Sequence, residues 1–464
     1  MTFVSIEFFI FLTFVFLLYH AARSVRLQNW IIAISSFVFY GFWDWRFLSL
    51  LAASAGVSYG AAILIEQSQS EQFRRFLLWA TIAIALSTLG LFKYFNFFVE
   101  NANTLLSTFG FKPHVVTLQI ILPLGISFMT FQGLAYVIDV YRGQHEADRD
   151  LVRVFAFKAF FPQLVAGPIE RAGQLLDQFK YPRVITQEKV QRAVWLMIYG
   201  FAMKIVIADS LAAIVDSSFA PEQAFGWSVV LATIAFGIQI YADFCGYSLI
   251  AKGTALLFGF DLIWNFRFPY WSVSITAFWR RWHIGLSNWL RDYLYIPLGG
   301  NRQGNAIAAR NMLITMTLGG LWHGASWNFV LWGLLHGIAL GLWRYSPAPT
   351  LPLSAIGRFV GWIVTMAIVF VGWFLFRAAS PEVMRAMVSS LGNWEWLPAH
   401  TAMGIALLST IIPLAAIEWA MRNYGDFFIF ETRPMVVYPA CAFLTVIALA
   451  MAGSYHASFI YFQF

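Results

Sequence analysis

Apolar runs of roughly twenty residues recur along this chain without the alternation of a half-buried strand, and such a run is what a helix needs to cross a bilayer core. Examples are Phe3 to Tyr19, Val194 to Val215, Trp227 to Ile250, Met312 to Trp343, Phe359 to Phe376, Ala402 to Met421 and Val436 to Ala452. Of 464 residues, 60% are hydrophobic and only 11% charged. That leaves too little polar surface to coat a water-soluble globule. The expected fold is an all-α polytopic integral membrane protein with about ten to twelve transmembrane helices, since a helix satisfies its own backbone in lipid. A β-barrel is excluded because the runs are continuous, and Cys245 and Cys441, each in apolar sequence, give no disulfide framework.

Basic residues report orientation, because Lys and Arg are retained on the cytoplasmic side. Arg23 and Arg26, then Arg74 and Arg75, then Arg142, Arg149, Arg153 and Lys158 fall in alternate loops, which places the N-terminus outside. The first run has no Lys or Arg before it and contains Glu7, so it reads as a permanent span and not as a cleaved signal. Leu151 to Ile169 has basic residues on both sides, and Phe161-Pro162 with Gly167-Pro168 supplies breaks; a re-entrant segment is expected there. The loop with Asp216 and Glu222 is expected outside, the basic region Ala251 to Asn311 inside, and Ser346 to Leu353 forms a Pro-rich loop. The chain reads as one domain over 1–464, with N-terminal spans in 1–150, a core in 151–343 and C-terminal spans in 344–464. No internal repeat is visible, which counts against the transporter class.

His20, His114, His145, His400 and His456 sit at run ends or in loops, where interfacial histidine is ordinary. His323 differs, because it lies in Leu318-Gly-Gly-Leu-Trp-His-Gly-Ala-Ser-Trp327, within apolar sequence among glycines. A polar ring at that depth needs a partner or a water-filled cavity, and an imidazole can take a proton from a hydroxyl near neutral pH. A structural histidine bonded to a nearby carbonyl is the plain alternative. His336, thirteen residues on, shares no helix face with His323 and reads as packing. In Phe278-Trp-Arg-Arg-Trp-His-Ile-Gly-Leu-Ser-Asn-Trp-Leu-Arg-Asp-Tyr293 a helical reading puts Trp279, His283, Leu286 and Leu290 on one inward stripe and Arg280 and Arg291 on the next. The plain reading is an interfacial amphipathic helix, which accounts for the tryptophans better than for His283. Leu298 to Asn305 is a Gly-rich turn that matches no phosphate-binding loop, no zinc spacing is present, and nothing supports nucleic-acid binding.

These residues resemble the membrane-bound O-acyltransferases, in the branch of bacterial alginate O-acetylation and teichoic-acid D-alanylation proteins. The stretches that carry the resemblance are Leu122 to Phe128, Ile138 to Gly143, Phe161 to Arg171, Tyr241 to Ser248, Phe278 to His283, Arg291 to Arg302 and Trp322 to Trp327. The resemblance implies a catalytic His323, a second site histidine at His283, and a ring of helices around a thinned centre where a cytoplasmic funnel meets an opening on the other face. It implies transfer of acetyl from acetyl-CoA, a substrate and not a cofactor, across the bacterial inner membrane. The acceptor is a hydroxyl of an exported polysaccharide or of a periplasmic partner protein. His323 is the expected general base, and His283 the group that orients the thioester or donates to the developing oxyanion. Arg280, Arg281, Arg291 and Lys252 are the expected attractants of the CoA phosphates. Leu249 is closer to the D-alanylation branch, so D-alanyl transfer from a carrier-protein thioester is the nearest alternative, and a glycan or lipid transporter the alternative of another class.

Overall fold

The computed structural model describes residues 1–111, 117–164, 167–219, 225–345, 354–422, 427, 434–451, 459 and 460. His114, Glu222, the Ser346 to Leu353 loop and His456 lie outside the described residues. Among those described there is no strand, and helices account for most of the chain. Two compact units form, one of Met1–Val190 with Thr254–Ile263, the other of Gln191–Gly253 with Trp264–Phe464.

In the first unit run α1 (Ile6–Ala21), α2 (Val25–Asp44), α3 (Leu48–Gln67), α4 (Glu71–Leu89), α5 (Phe95–Thr108) and α6 (Ile126–Tyr141), then short α7 (Leu151–Ala159), α8 (Phe161–Leu164) and α9 (Ala172–Leu175). Ser5, Ser24 and Ser70 start α1, α2 and α4 by accepting from Phe8, Leu27 and Phe73 N–H groups that a helix leaves unpaired. Apolar side chains surround α1: Phe8, Leu12, Val15 and Tyr19 are buried while Ile6, Ile10, Phe14 and Leu17 are exposed. A helix apolar on its outer face is one that meets lipid.

The segment expected to be re-entrant forms two short helices, α7 and α8. Nine residues of helix reach only about 14 Å, less than half a bilayer core of about 30 Å. Described groups of this broken segment bond to neighbouring protein. Ser36 Oγ accepts the Phe161 N–H at 3.1 Å, Lys158 Nζ donates to the Met129 carbonyl at 2.5 Å, and Gln163 Nε2 donates to the Pro168 carbonyl at 2.9 Å.

The second unit contains most of α10 (Gln187–Phe201), α11 (Asp209–Ser218), joined to α10 through a π-helical stretch Ala202–Ala208, and most of the 32-residue α12 (Gly226–Leu257). Short α13 (Ile275–Trp279) and α14 (Ile284–Leu290) precede α15 (Asn305–His323), α16 (Trp327–Tyr345), α17 (Ala355–Arg377), α18 (Pro381–Ser390), α19 (Pro398–Arg422) and α20 (Pro434–Met451). The tightest pairing is α15 on α16. A Cβ added at Gly320 would fall 2.1 Å from the Phe329 carbonyl oxygen, and one at Gly333 would fall 2.3 Å from that of Met316. Glycine at these positions lets the two backbones approach as small residues do in membrane helix pairs.

Six stretches of described residues are long and apolar enough to cross a membrane: 25–67, 71–108, 187–218, 226–257, 355–377 and 398–422. The first, at 43 residues, is two 20-residue helices, α2 and α3, joined by a single 3₁₀ turn at Trp45–Phe47. The 19-residue α15 and α16 reach about 28 Å, close to a core thickness, which is why apolar runs alone suggest a larger number. The close α15–α16 contact gives a direct expectation: Gly320→Ala must push the helices apart or distort them, at about 1–3 kcal/mol. Thermal unfolding of the purified protein in detergent should fall by several degrees, and an unchanged midpoint would mean the pair is looser than described.

Candidate active site

His283 is carried by a hairpin. The Ile284 N–H donates to the Asn265 carbonyl at 2.9 Å and the Arg267 N–H to the Arg281 carbonyl at 3.0 Å, closing a loop that holds α13. Ser274 Oγ caps α13 by accepting the Ala277 N–H at 3.1 Å. The continuous helix expected from Phe278 to Tyr293 does not form. The chain turns after Trp279, and His283 takes left-handed backbone angles of φ 43° and ψ 55° before α14 begins. Tertiary packing overrides the period here: Trp282 is buried against Phe266, Phe278 and Trp373 at 4.7–5.6 Å, which a straight helix would prevent. Left-handed angles cost a non-glycine residue about 1–2 kcal/mol, and such outliers gather at functional sites. His283 nevertheless faces inward as expected, with 1% exposure.

Asn265 fixes the state of this ring. Its Oδ1 accepts the Gly285 N–H at 3.4 Å, and an amide N–H can only donate, so the oxygen must be the atom facing that side. The same oxygen lies 3.1 Å from His283 Nδ1, while Asn265 Nδ2 donates to Ser248 Oγ at 3.1 Å. Nδ1 therefore carries the hydrogen and Nε2 the lone pair. The ring lies outside the spanning helices, and burial pushes its pKa down to about 3, so it is neutral at ordinary pH.

His323 ends α15, and Gly324 continues in extended conformation. Its ring has 5% exposure and is enclosed by Trp322, Trp332 and Phe376 at centroid distances of 5.0, 5.1 and 5.3 Å. The His283 ring lies 6.4 Å away, with Trp322 beside both. The structure thus brings together two histidines that stand forty positions apart in sequence. His336 lies on the other side of Trp332, at 4.9 Å, against Trp279 at 5.1 Å.

The basic residues are dispersed. Arg280 is exposed, and Arg281 is half-buried, its pKa lowered by that burial and by nearby Arg422. Arg291 forks onto Asp292, with Nε to Oδ1 at 2.6 Å. Lys252 is buried, its ammonium 4.6 Å from the centre of the Trp264 ring.

A family profile described as membrane-bound O-acyltransferase matches residues 144–346, which include both histidines. The chain is 41% identical to the probable alginate O-acetylase of Azotobacter vinelandii over 90% of its own length and 84% of that protein's. The chain belongs to the membrane-bound O-acyltransferase family. It is 35% identical to the peptidoglycan O-acetyltransferase of Helicobacter pylori, covering 82% of this chain and 77% of that one. Against the teichoic acid D-alanyltransferase of Streptococcus thermophilus identity is 28%, over 47% of this chain and 55% of the relative. As an O-acyltransferase the protein is a multi-pass membrane enzyme.

Two further residues pack around the candidate site without a local signal that marks them as part of it. Asn265 carries no local signal in the sequence, and Glu418 lies inside the apolar run Ala402 to Met421. Glu418 accepts from the Tyr241 hydroxyl and, at 3.1 Å, from Trp271 Nε1, so it ties α19 to the base of the His283 hairpin. An acid amid apolar sequence was the available signal for Glu418. Replacing Asn265 by Asp sets a carboxylate against Nδ1 and raises the His283 pKa from its depressed value. The neutral ring is then lost as pH falls through that raised pKa. The acid limb of the pH–rate profile should move to higher pH in Asn265→Asp, and an unmoved limb would show that neutral His283 is not required.

Proposed function

We propose that this enzyme transfers an acetyl group from cytoplasmic acetyl-CoA to a hydroxyl beyond the bacterial inner membrane. The acceptor is an exported or cell-surface polysaccharide of the alginate, cellulose or peptidoglycan kind, or a periplasmic partner that passes the group on. The observation that carries the reading is the facing pair His283 and His323, buried within aromatic walls with ring centroids 6.4 Å apart. Relatives named for O-acetylation of alginate and of peptidoglycan support the acetyl group and the glycan class.

In this reading the acceptor hydroxyl oxygen attacks the thioester carbonyl carbon as His323 takes its proton. The C–S bond then breaks, and the CoA thiolate recovers that proton from His323. Of the two roles expected for His283, orientation fits its tautomer: Nε2 holds a lone pair that can accept an amide N–H of the pantetheine arm, whereas donation to an oxyanion requires a protonated ring. Arg280 and Arg281 attract the CoA phosphates. Arg291, occupied by Asp292, and Lys252, buried over Trp264, contribute less.

The test is thiol release from acetyl-CoA by the purified enzyme in liposomes with a hydroxyl acceptor. His323→Ala should lose about 10²–10⁴-fold in kcat at unchanged thermal stability, the range for a general base. Arg280→Glu with Arg281→Glu should raise KM for acetyl-CoA about tenfold or more, as loss of charge-assisted bonds does, and leave kcat in place. Full release by His323→Ala would remove it from the chemistry. Release seen only with a D-alanyl carrier-protein thioester would replace acetyl by D-alanyl.

A further inference from the structure

The second unit buries a charged cluster that the acyl transfer does not use. Lys204 Nζ, from the π-helical stretch between α10 and α11, lies 2.7 Å from Asp209 Oδ1 and 2.9 Å from Asp243 Oδ1 on α12. All three residues are buried, Lys204 with 1% exposure. Ion clusters at membrane depth are expensive, and well-packed apolar residues would usually serve stability as well, so function is the first hypothesis.

The second oxygen of Asp243 shows what the cluster holds. Asp243 Oδ2 accepts the backbone N–H of Ile460 at 2.7 Å, across 217 positions of sequence. That bond places Phe459, whose ring lies 4.3 Å from Tyr247 and 6.0 Å from Phe244. Phe244 in turn meets the His283 imidazole edge-on at 4.7 Å. Asp243, Phe244 and Tyr247 sit within five residues of α12, so one stretch of helix carries the anchor, the wedge seat and the contact to the histidine. Phe459 and Ile460 are themselves buried.

We propose that the Lys204–Asp209–Asp243 cluster is a latch for the segment at Phe459–Ile460, and that latched Phe459 is a positioning residue that holds Phe244 against the His283 ring. The proposal rests on the reading of His283 as a site residue. The lysine holds Asp243 by its Oδ1, the other oxygen of the same carboxyl group holds one backbone amide, and the amide seats an aromatic wedge behind Phe244. Asn265 fixes the ring from its Nδ1 edge, and Phe244, packed edge-on against it at 4.7 Å, limits its rotation.

Two measurements without any acyl donor test it. With Cys245 and Cys441 replaced by Ser, Ile460→Cys should react slowly with a maleimide in membranes, and adding Asp243→Ala should speed that reaction about tenfold, the factor one charge-assisted hydrogen bond supports. An unchanged rate overturns the latch. Modification of His283 by diethyl pyrocarbonate, followed by mass spectrometry, should be about tenfold faster in Phe459→Ala and return towards the parent rate in Phe459→Leu. Equal rates in all three overturn the positioning role. On acetyl transfer, Phe459→Ala should lower kcat about tenfold with KM for acetyl-CoA unchanged, whereas a loss that tracks thermal stability or falls on KM overturns it. If the parent enzyme released no thiol from acetyl-CoA, the proposed reaction would fail, and the two chemical-modification measurements would still decide the latch.

Discussion

An imidazole buried inside a membrane protein must find its hydrogen bonds among protein groups, and much of the second unit follows from that constraint. Asn265 meets most of it. Its backbone carbonyl takes the Ile284 N–H, its side-chain oxygen takes the Gly285 N–H and faces His283 Nδ1, and its amide nitrogen gives to Ser248. One residue thereby closes the hairpin, sets the tautomer of the ring and ties both to α12. The left-handed backbone at His283 is tolerable because these bonds form only when the chain turns there.

Around the two histidines the wall is almost wholly aromatic. Trp322, Trp332, Phe376 and Phe244 touch the rings directly, and Trp282 fills the space behind, stacked with Phe278 and tilted on Trp373. In the proposed reaction a wall of this kind strengthens the electrostatic contacts inside it and shields a thioester from hydrolysis. It also explains Glu418. A carboxyl group among aromatics is costly unless its oxygens are engaged, and the Tyr241 hydroxyl and Trp271 indole engage both of them while joining α12, α19 and the hairpin.

The all-helical membrane fold was legible because continuous apolar runs have one reading in lipid, and the break in 151–169 was legible from Phe161-Pro162 and Gly167-Pro168. His323 stood out as a polar ring among glycines, and those glycines do set the α15–α16 approach. His283 was placed inward for a mistaken reason: the stripe assumed a straight helix, while the real turn is decided by where Trp282 must pack. Asn265, Glu418 and the Lys204 cluster were not legible as a site. Their partners lie 18, 177 and 217 positions away, and no local period records a contact at that range. The weighing of Lys252 with the arginines shows the same limit, since a count of basic residues does not separate a surface lysine from one laid over Trp264.

The two histidines are unequal, and the inequality bears on their division of labour. His283 is committed at Nδ1 by Asn265, so its free choice is restricted to accepting at Nε2. A base in the proposed reaction must gain and then lose a proton within one turnover, and a ring whose protonated form is heavily penalised by burial does this badly. His323 stands at the C-terminus of α15, with no such commitment to Asn265. In the proposed reaction the proton that His323 takes from the hydroxyl is the one the departing thiolate needs, so the cycle closes without a path to bulk water. An aromatic enclosure that would starve a hydrolase of its nucleophile is therefore compatible with transfer, in which each reactant brings its own reacting atoms and the protein has only to hold two rings in place.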